Sequence, residues 1–187
     1  MKIDGNSIEV INKLCKYFLG EKGELGLHKG IFLYGLVGRG KTMIMDSIRE
    51  AIVGSSNYFP NMNCRTVVNE FNKNGFAGIE KYCNADMIQT TSLGEGGKFK
   101  KKHPTFYLFD DLGAEQDGWH YGNKINVISE IILSRYIYFQ RVGTKTHITS
   151  NLGYDGDEIE NRYGVLFRSR IREMFNFVEL TGEDKRK

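Results

Sequence analysis

Gly35-Leu36-Val37-Gly38-Arg39-Gly40-Lys41-Thr42 follows the spacing G-x-x-x-x-G-K-[ST]. Glycines so placed let successive backbone N–H groups turn inward around phosphate oxygens. In this pattern the lysine carries its ammonium to the β and γ phosphates of a nucleotide, and the hydroxyl after it reaches Mg²⁺. The residues read as nucleotide-binding are therefore Gly35, Gly38, Arg39, Gly40, Lys41, Thr42 and Met43. Arg39 puts a bulky cation where a small residue is usual, either as a further phosphate contact or as a solvent-facing side chain. A Mg²⁺ ion beside a triphosphate also needs a carboxylate, usually through water, and the end of a neighbouring buried strand is a suitable place for one. Phe106-Tyr-Leu-Phe runs directly into Asp110 and Asp111. Asp110, with Thr42, is the candidate metal residue, and Asp111 is the candidate to polarise an attacking water. Aspartate is one methylene shorter than the glutamate of many ATPases, which points to slow hydrolysis more than to weak binding. Adjacent aspartates before Gly113 also suit a plain turn. Asn151 offers an amide to the γ phosphate or the water, or simply closes a strand.

These residues need a strand before the glycine loop and a helix after it. Ile31 to Tyr34 is a short apolar run of the buried-strand type, and Gly35 stops it. From Lys41 the pattern turns helical, with Ile44, Ile48 and Ile52 on one line and an end near Gly54. Upstream, residues 7–19 place Ile8, Ile11, Cys15 and Phe18 at helical spacing, with Asn6 or Ser7 available as the cap. A gap rich in glycine and charge, residues 20–30, separates the two. Residues 65–69 read as a second strand, and 70–83 as a helix weakened by Gly75 and Gly78. Residues 91–103 lack periodicity and carry three glycines and four lysines, which predicts a long loop. Beyond it come a strand from Thr105 to Phe109 and the longest helix, 123–141, buried along Ile125, Ile128, Ile132, Tyr136 and Phe139. A strand at Thr146–Thr149 then leads to Ser150 and Asn151. An acidic helix (155–162), a basic helix (165–175) and a strand at Phe177–Leu180 follow. The alternation implies an α/β, three-layer P-loop fold: a mostly parallel sheet with helices on both faces.

With 187 residues, 40% hydrophobic and 12% aromatic, the chain can bury one proper core but not two. We read a single domain over 1–187, with 1–30 as N-terminal helix and linker and 31–187 as nucleotide-binding core. Cys15, Cys64 and Cys83 are odd in number and far apart, unlike a zinc or disulfide framework, which favours a reduced, cytoplasmic protein. No apolar run approaches the roughly 20 residues that span a bilayer, and the N-terminus is polar, unlike a signal peptide. A net charge of +3 is too mild to argue for nucleic acid by itself. The cluster of Lys98, Lys100, Lys101 and Lys102 with Phe99 and His103 is more pointed. It either tracks a single-stranded DNA backbone or solvates its loop. Lys185, Arg186 and Lys187 read as a frayed tail.

Taken together, GLVGRGKT (35–42), LFDDLG (108–113), EIILSRY (130–136), HITSN (147–151) and RYGVLFRSRIREM (162–174) resemble the DnaC/IstB-like AAA+ ATPases in order and spacing. The resemblance covers about residues 27 to 187. It implies an AAA+ core in which Gly38, Gly40, Lys41 and Thr42 are Walker A, Asp110 and Asp111 Walker B, and Asn151 sensor 1. Ser169-Arg170 looks like the family's arginine finger, a cation supplied to a neighbouring subunit's ATP. The residues themselves leave the choice open, because Arg168 and Arg170 both flank the buried line Phe167, Ile171 and Met174, and a solvated basic face fits too. Arg135, in the EIILSRY string, is assigned no role, and its plain alternative is an ordinary helix-edge cation. ATP rather than GTP, a homo-oligomer, and a replicative helicase or a transposase as partner are what the resemblance implies. So is a role in DNA replication as a helicase loader, or alternatively as an IstB-like transposition helper. Two departures stand out: only residues 1–30 precede the loop strand, where loaders carry a helicase-docking region, and the helical lid of many AAA+ proteins is expected to be absent. From other classes, a P-loop small-molecule kinase and a nucleotide-binding module without hydrolysis also stay open.

Overall fold

The leading amphipathic helix, α1 (Gly5–Phe18), precedes the buried strand β1 (Gly30–Tyr34) and the helix α2 (Lys41–Ala51) in the computed structural model, which describes residues 5–83, 88–93, 97–102, 106–154 and 157–182. The chain continues through β2 (Asn61–Asn63), α3 (Cys64–Asn74), α4 (Phe76–Cys83), β3 (Ile88–Leu93) and β4 (Gly97–Lys102). Next come β5 (Tyr107–Leu112), β6 (Gly118–His120), β7 (Asn123–Ile125) and α5 (Val127–Val142). It closes with β8 (Thr146–Ser150), α6 (Glu158–Tyr163), α7 (Val165–Met174) and β9 (Phe175–Glu179). Five strands form one sheet in the order β2-β5-β8-β1-β9, and every pairing in it is parallel.

Alternation along the strands splits the core into two layers. Ile31, Leu33 and Leu108 point to one face, where they meet Leu14, Tyr17 and Phe18 of α1 and Ile44, Met45 and Ile48 of α2. Phe32, Phe109 and Ile148 point to the other, against Val67 and Phe71 of α3, Ile128 and Ile132 of α5, and Phe167 and Ile171 of α7. The arrangement is therefore helix, sheet, helix, as the alternation of elements implied. Among the described residues no helix is long and apolar enough to cross a membrane. Cys15, Cys64 and Cys83 are free.

Several expectations need correction. Residues 65–69 are helical. Asn63 caps α3 by accepting the Arg65 N–H through its side chain at 3.0 Å, and Val67, Val68 and Phe71 bury one helical face, so packing overrides the β preference of the valine pair. The strand is instead the short triplet Asn61-Met62-Asn63 of β2, paired to β5 with Asn63 opposite Asp110. Gly75, at φ +60°, separates α3 from α4 where a single helix was expected. Residues 91–103 are not one loop, because β3 and β4 pair as an antiparallel hairpin that places Lys98, Lys100, Lys101 and Lys102 on a strand. His103, Thr105, residues 155–156 and the tail Lys185, Arg186 and Lys187 lie outside the described residues. Residues 123–125 are strand, and α5 begins after Asn126, whose side chain accepts the Ser129 N–H at 3.0 Å.

Arg135 is not a helix-edge cation but wholly buried. Its guanidinium donates to the Thr146 hydroxyl at 2.7 Å and to the carbonyls of Tyr82 and Lys145 at 3.0 Å each, and it lies over the Tyr107 ring. Burial pulls its pKa down to about 10. The side chain therefore ties α5 to the end of α4 and to β8.

Candidate nucleotide-binding site

The loop between β1 and α2 is shaped by backbone that only glycine tolerates easily. Gly35 has φ +146°, and a Cβ there would lie 2.3 Å from the Leu180 carbonyl oxygen. The close approach is built in, because the Leu180 N–H donates to Tyr34 O at 2.7 Å and extends the β1–β9 ladder over the loop's start. Gly40, at φ +88°, is the N-cap of α2, and its carbonyl accepts the Ile44 N–H at 2.9 Å. Gly38 is left-handed too, at φ +83°. Arg39 turns away from the loop's centre and donates to Leu180 O at 3.1 Å.

A cleft of about 610 Å³ opens beside this loop. Gly38, Gly40, Lys41, Thr42, Met43, Asp111 and Asn151 line it, so these sequence candidates come together. Lys41 is buried, and its ammonium donates to Gly35 O at 2.7 Å, Leu36 O at 3.0 Å and the Asn151 side-chain oxygen at 2.7 Å. Thr42 Oγ1 donates to Asp110 Oδ1 at 2.9 Å. Helix, loop and two strand ends thus converge on one polar floor.

The carboxylate strand is not the neighbour of β1, as the sequence implied; β8 lies between them. Thr149 of β8 bridges the gap, donating to Asp110 Oδ1 at 2.5 Å and accepting the Asp111 N–H at 2.9 Å. This hydroxyl fills the irregularity in the β5–β8 pairing between Phe109 and Leu112, where Asp111 takes the left-handed φ of +60°. Burial pushes the Asp110 carboxyl above the usual range; the Thr149 and Thr42 hydroxyls pull it back, while Asp111 and Asp46 push it further up. A cation at the Thr42–Asp110 pair would offset that burial, and a hydroxyl with a carboxylate is a hard oxygen set that suits Mg²⁺. Among the described residues no three His, Cys, Asp or Glu side chains converge to hold a metal by themselves. Water and phosphate oxygens would complete the coordination.

Arg170 does not line this cleft. It sits on α7, its guanidinium 4.4 Å from the centre of the Tyr136 ring and its Nη1 3.2 Å from the Tyr136 hydroxyl. Arg168 is engaged nearer home, with Glu160 at 2.8 Å and Asp157 at 3.7 Å. Arg172 donates to the Tyr154 hydroxyl at 3.0 Å. Sequence reasoning missed Thr149 and Arg65. Arg65 lines the cleft, and its Nε donates to Ala114 O at 2.8 Å. The valine pair after it reads as a strand in the sequence, which hides its place at the start of α3, next to the strand that pairs with Asp110.

Solved structures share this architecture. The DnaC helicase loader superposes with a TM-score of 0.63 and 15% identity, covering 95% of this chain and 92% of that one. A putative primosome component from Streptococcus pyogenes serotype M3 gives 0.61 and 14%, over 97% of this chain and 82% of that one. The fold is that of the DnaC helicase loader. AMPPCP-bound DnaA from Aquifex aeolicus carries the same fold at a TM-score of 0.61 and 14% identity, over 99% of this chain but 50% of that one. At such identities the likeness concerns fold alone. No protein-family model and no curated protein sequence matches the chain. Within this fold, β1, β8 and β5 bring the phosphate loop, Asn151 and the aspartate pair to one end of the sheet.

Proposed function

We propose that the chain is an ATP-binding and ATP-hydrolysing AAA+ protein of DNA replication, a helicase-loader-like accessory factor that works in the cytoplasm. The observation that carries this reading is the convergence of Lys41, Thr42 and Asp110 on one end of the sheet, with Asn151 holding the Lys41 ammonium. In this reading Lys41 binds the β and γ phosphates, and the N–H groups around Gly38 and Gly40 cradle them. Thr42 and Asp110 hold Mg²⁺, and bound Mg²⁺ neutralises charge on the phosphates. Asp111 orients the attacking water, and Asn151 exchanges its grip on Lys41 for the γ phosphate or that water. Arg170, lying outside its own cleft, serves a neighbouring copy's nucleotide, which makes the active form a homo-oligomer.

Support for the nucleotide and for the process comes from proteins of the same fold, namely DnaA, bound to AMPPCP alone or with single-stranded DNA, and the DnaC helicase loader. A replicative helicase is accordingly the proposed partner, and the lysines of β4 the proposed contact with single-stranded DNA. The test is steady-state ATP hydrolysis against protein concentration, with and without single-stranded DNA, in the wild type and Arg170→Ala. Specific activity should rise with concentration or DNA, and collapse in the variant while ATP affinity persists. Flat, DNA-indifferent activity equal in both proteins would point instead to a kinase or a binding module.

A further inference from the structure

Beyond Asp111 the chain passes through Leu112, Gly113 and Ala114 to Glu115, which is buried although it is a carboxylate with no assigned part in the site. Its partners come from two directions. Within its own turn, the Gly113 N–H donates to Oε2 at 2.9 Å. From α6, the Tyr163 hydroxyl donates to Oε1, and Arg162 Nη2 donates to the Glu115 carbonyl and, at 3.5 Å, to Oε1. On the cleft side Arg65 holds the adjacent Ala114 carbonyl. The segment after the catalytic strand is therefore gripped between a cleft arginine and an α6 arginine.

The α6 end of this grip continues into α7. Tyr163 stacks on Phe167 with ring centres 4.6 Å apart, and Phe167 and Ile171 are wholly buried on the helix that carries Arg170. The Arg162 carbonyl also accepts from Asn126, the cap of α5. A buried carboxylate with several donors cannot move away from them without leaving a charge unpaired, so its partners travel with it. Arg65 is the element of the grip that a ligand can reach, because it lines the cleft and a phosphate competes strongly with a carbonyl for a guanidinium.

We propose that Glu115 is a positioning residue that couples the nucleotide state of the cleft to α6 and α7, and through them sets the placement of Arg170. The coupling rests on the reading that the cleft binds nucleotide. Phosphate in the cleft draws Arg65 from Ala114, the 112–115 segment shifts, and Glu115 carries Arg162 and Tyr163 with it.

The experiment is amide hydrogen exchange across residues 158–174 of the full chain, with and without AMPPCP and Mg²⁺, in the wild type, Glu115→Gln and Tyr163→Phe. Tyr163→Phe keeps the stack on Phe167 and removes only the hydroxyl, so it reports on the coupling if the Glu115 variant folds poorly. AMPPCP should change exchange in α6 and α7 of the wild type by about fivefold or more, the scale of an ordinary coupling between sites. The variants should bind AMPPCP as the wild type does and lose most of that change. Variants that bind it and keep the full change overturn the coupling alone, as does a wild type that binds AMPPCP with no response in α6 and α7. A wild type that fails to bind AMPPCP removes the proposed function, and the coupling falls with it.

Discussion

Thr149 shows how one hydroxyl can hold two acids in order. Asp110 accepts from it, Asp111 donates its N–H to it, and the left-handed φ of Asp111 depends on a partner being there. That conformation costs a non-glycine residue roughly 1–2 kcal/mol, which the surrounding contacts must offset. Thr149→Val keeps the shape and the β preference but removes the bridge. Supporting groups of this kind are worth about 10–100-fold in metal affinity or activity. The variant should therefore need that much more Mg²⁺ to support hydrolysis, while nucleotide affinity without metal stays as in the wild type. Equal Mg²⁺ titrations for both proteins would mean that the threonine only closes a gap between strands. Lys41, Thr42 and Asp110 were legible in the sequence because their chemistry dictates local spacing. Thr149 and Arg65 were not, because register with β5 and the true start of α3 decide their places, and neither is a local property.

At the scale of elements, legibility followed periodicity. The strand, loop and helix around Gly35 could be read because β1 is continuously apolar and the α2 isoleucines recur at helical steps. β2 could not, being three residues with one methionine between two asparagines, too short for a pattern and paired only with β5 among the described strands. Arg135 escaped for a related reason: a cation in a helix pattern reads as surface until the carbonyls that satisfy it are known. His147 is a similar case with a measurable consequence. It lies buried on β8 among the Tyr17, Phe18 and Phe59 rings, where its Nδ1 accepts the Ile31 N–H at 3.1 Å. Burial, with Lys145 and Arg135 adding to it, pulls its pKa down to about 3. The unfolded chain, with an ordinary histidine near 6.5, therefore takes up this proton first as pH falls. The stabilising contribution is complete above about pH 6.5, declines below it, and is exhausted near pH 3. Between pH 7 and 5 the histidine alone should cost the fold about 2 kcal/mol, which urea unfolding at the two values measures. His147→Gln should show a correspondingly smaller loss between them; an identical loss would assign the acid sensitivity to other groups.

For the whole molecule, charge placement matters more than charge total. The net charge of +3 gives little general attraction for DNA, but Lys98, Lys100, Lys101 and Lys102 are collected on β4, which pairs only with β3 among the described strands. In a self-assembled form each copy would bring its own hairpin, so the contacts multiply along one strand. Each phosphate neutralised on single-stranded DNA contributes about 0.7 to the slope of log affinity against log salt, so four lysines in full contact contribute about 3. Replacing all four with Ala should flatten the slope by up to that amount and weaken binding about equally for different sequences, since phosphate contacts carry no base information. Nucleotide affinity measured on the same protein should not change, because among the described residues the cleft is lined by the phosphate loop, the start of α2, Arg65, Asp111, Ala114 and Asn151. A salt slope equal to that of the wild type would place the DNA contact on another surface and leave the hairpin as a solvated appendage to the central sheet.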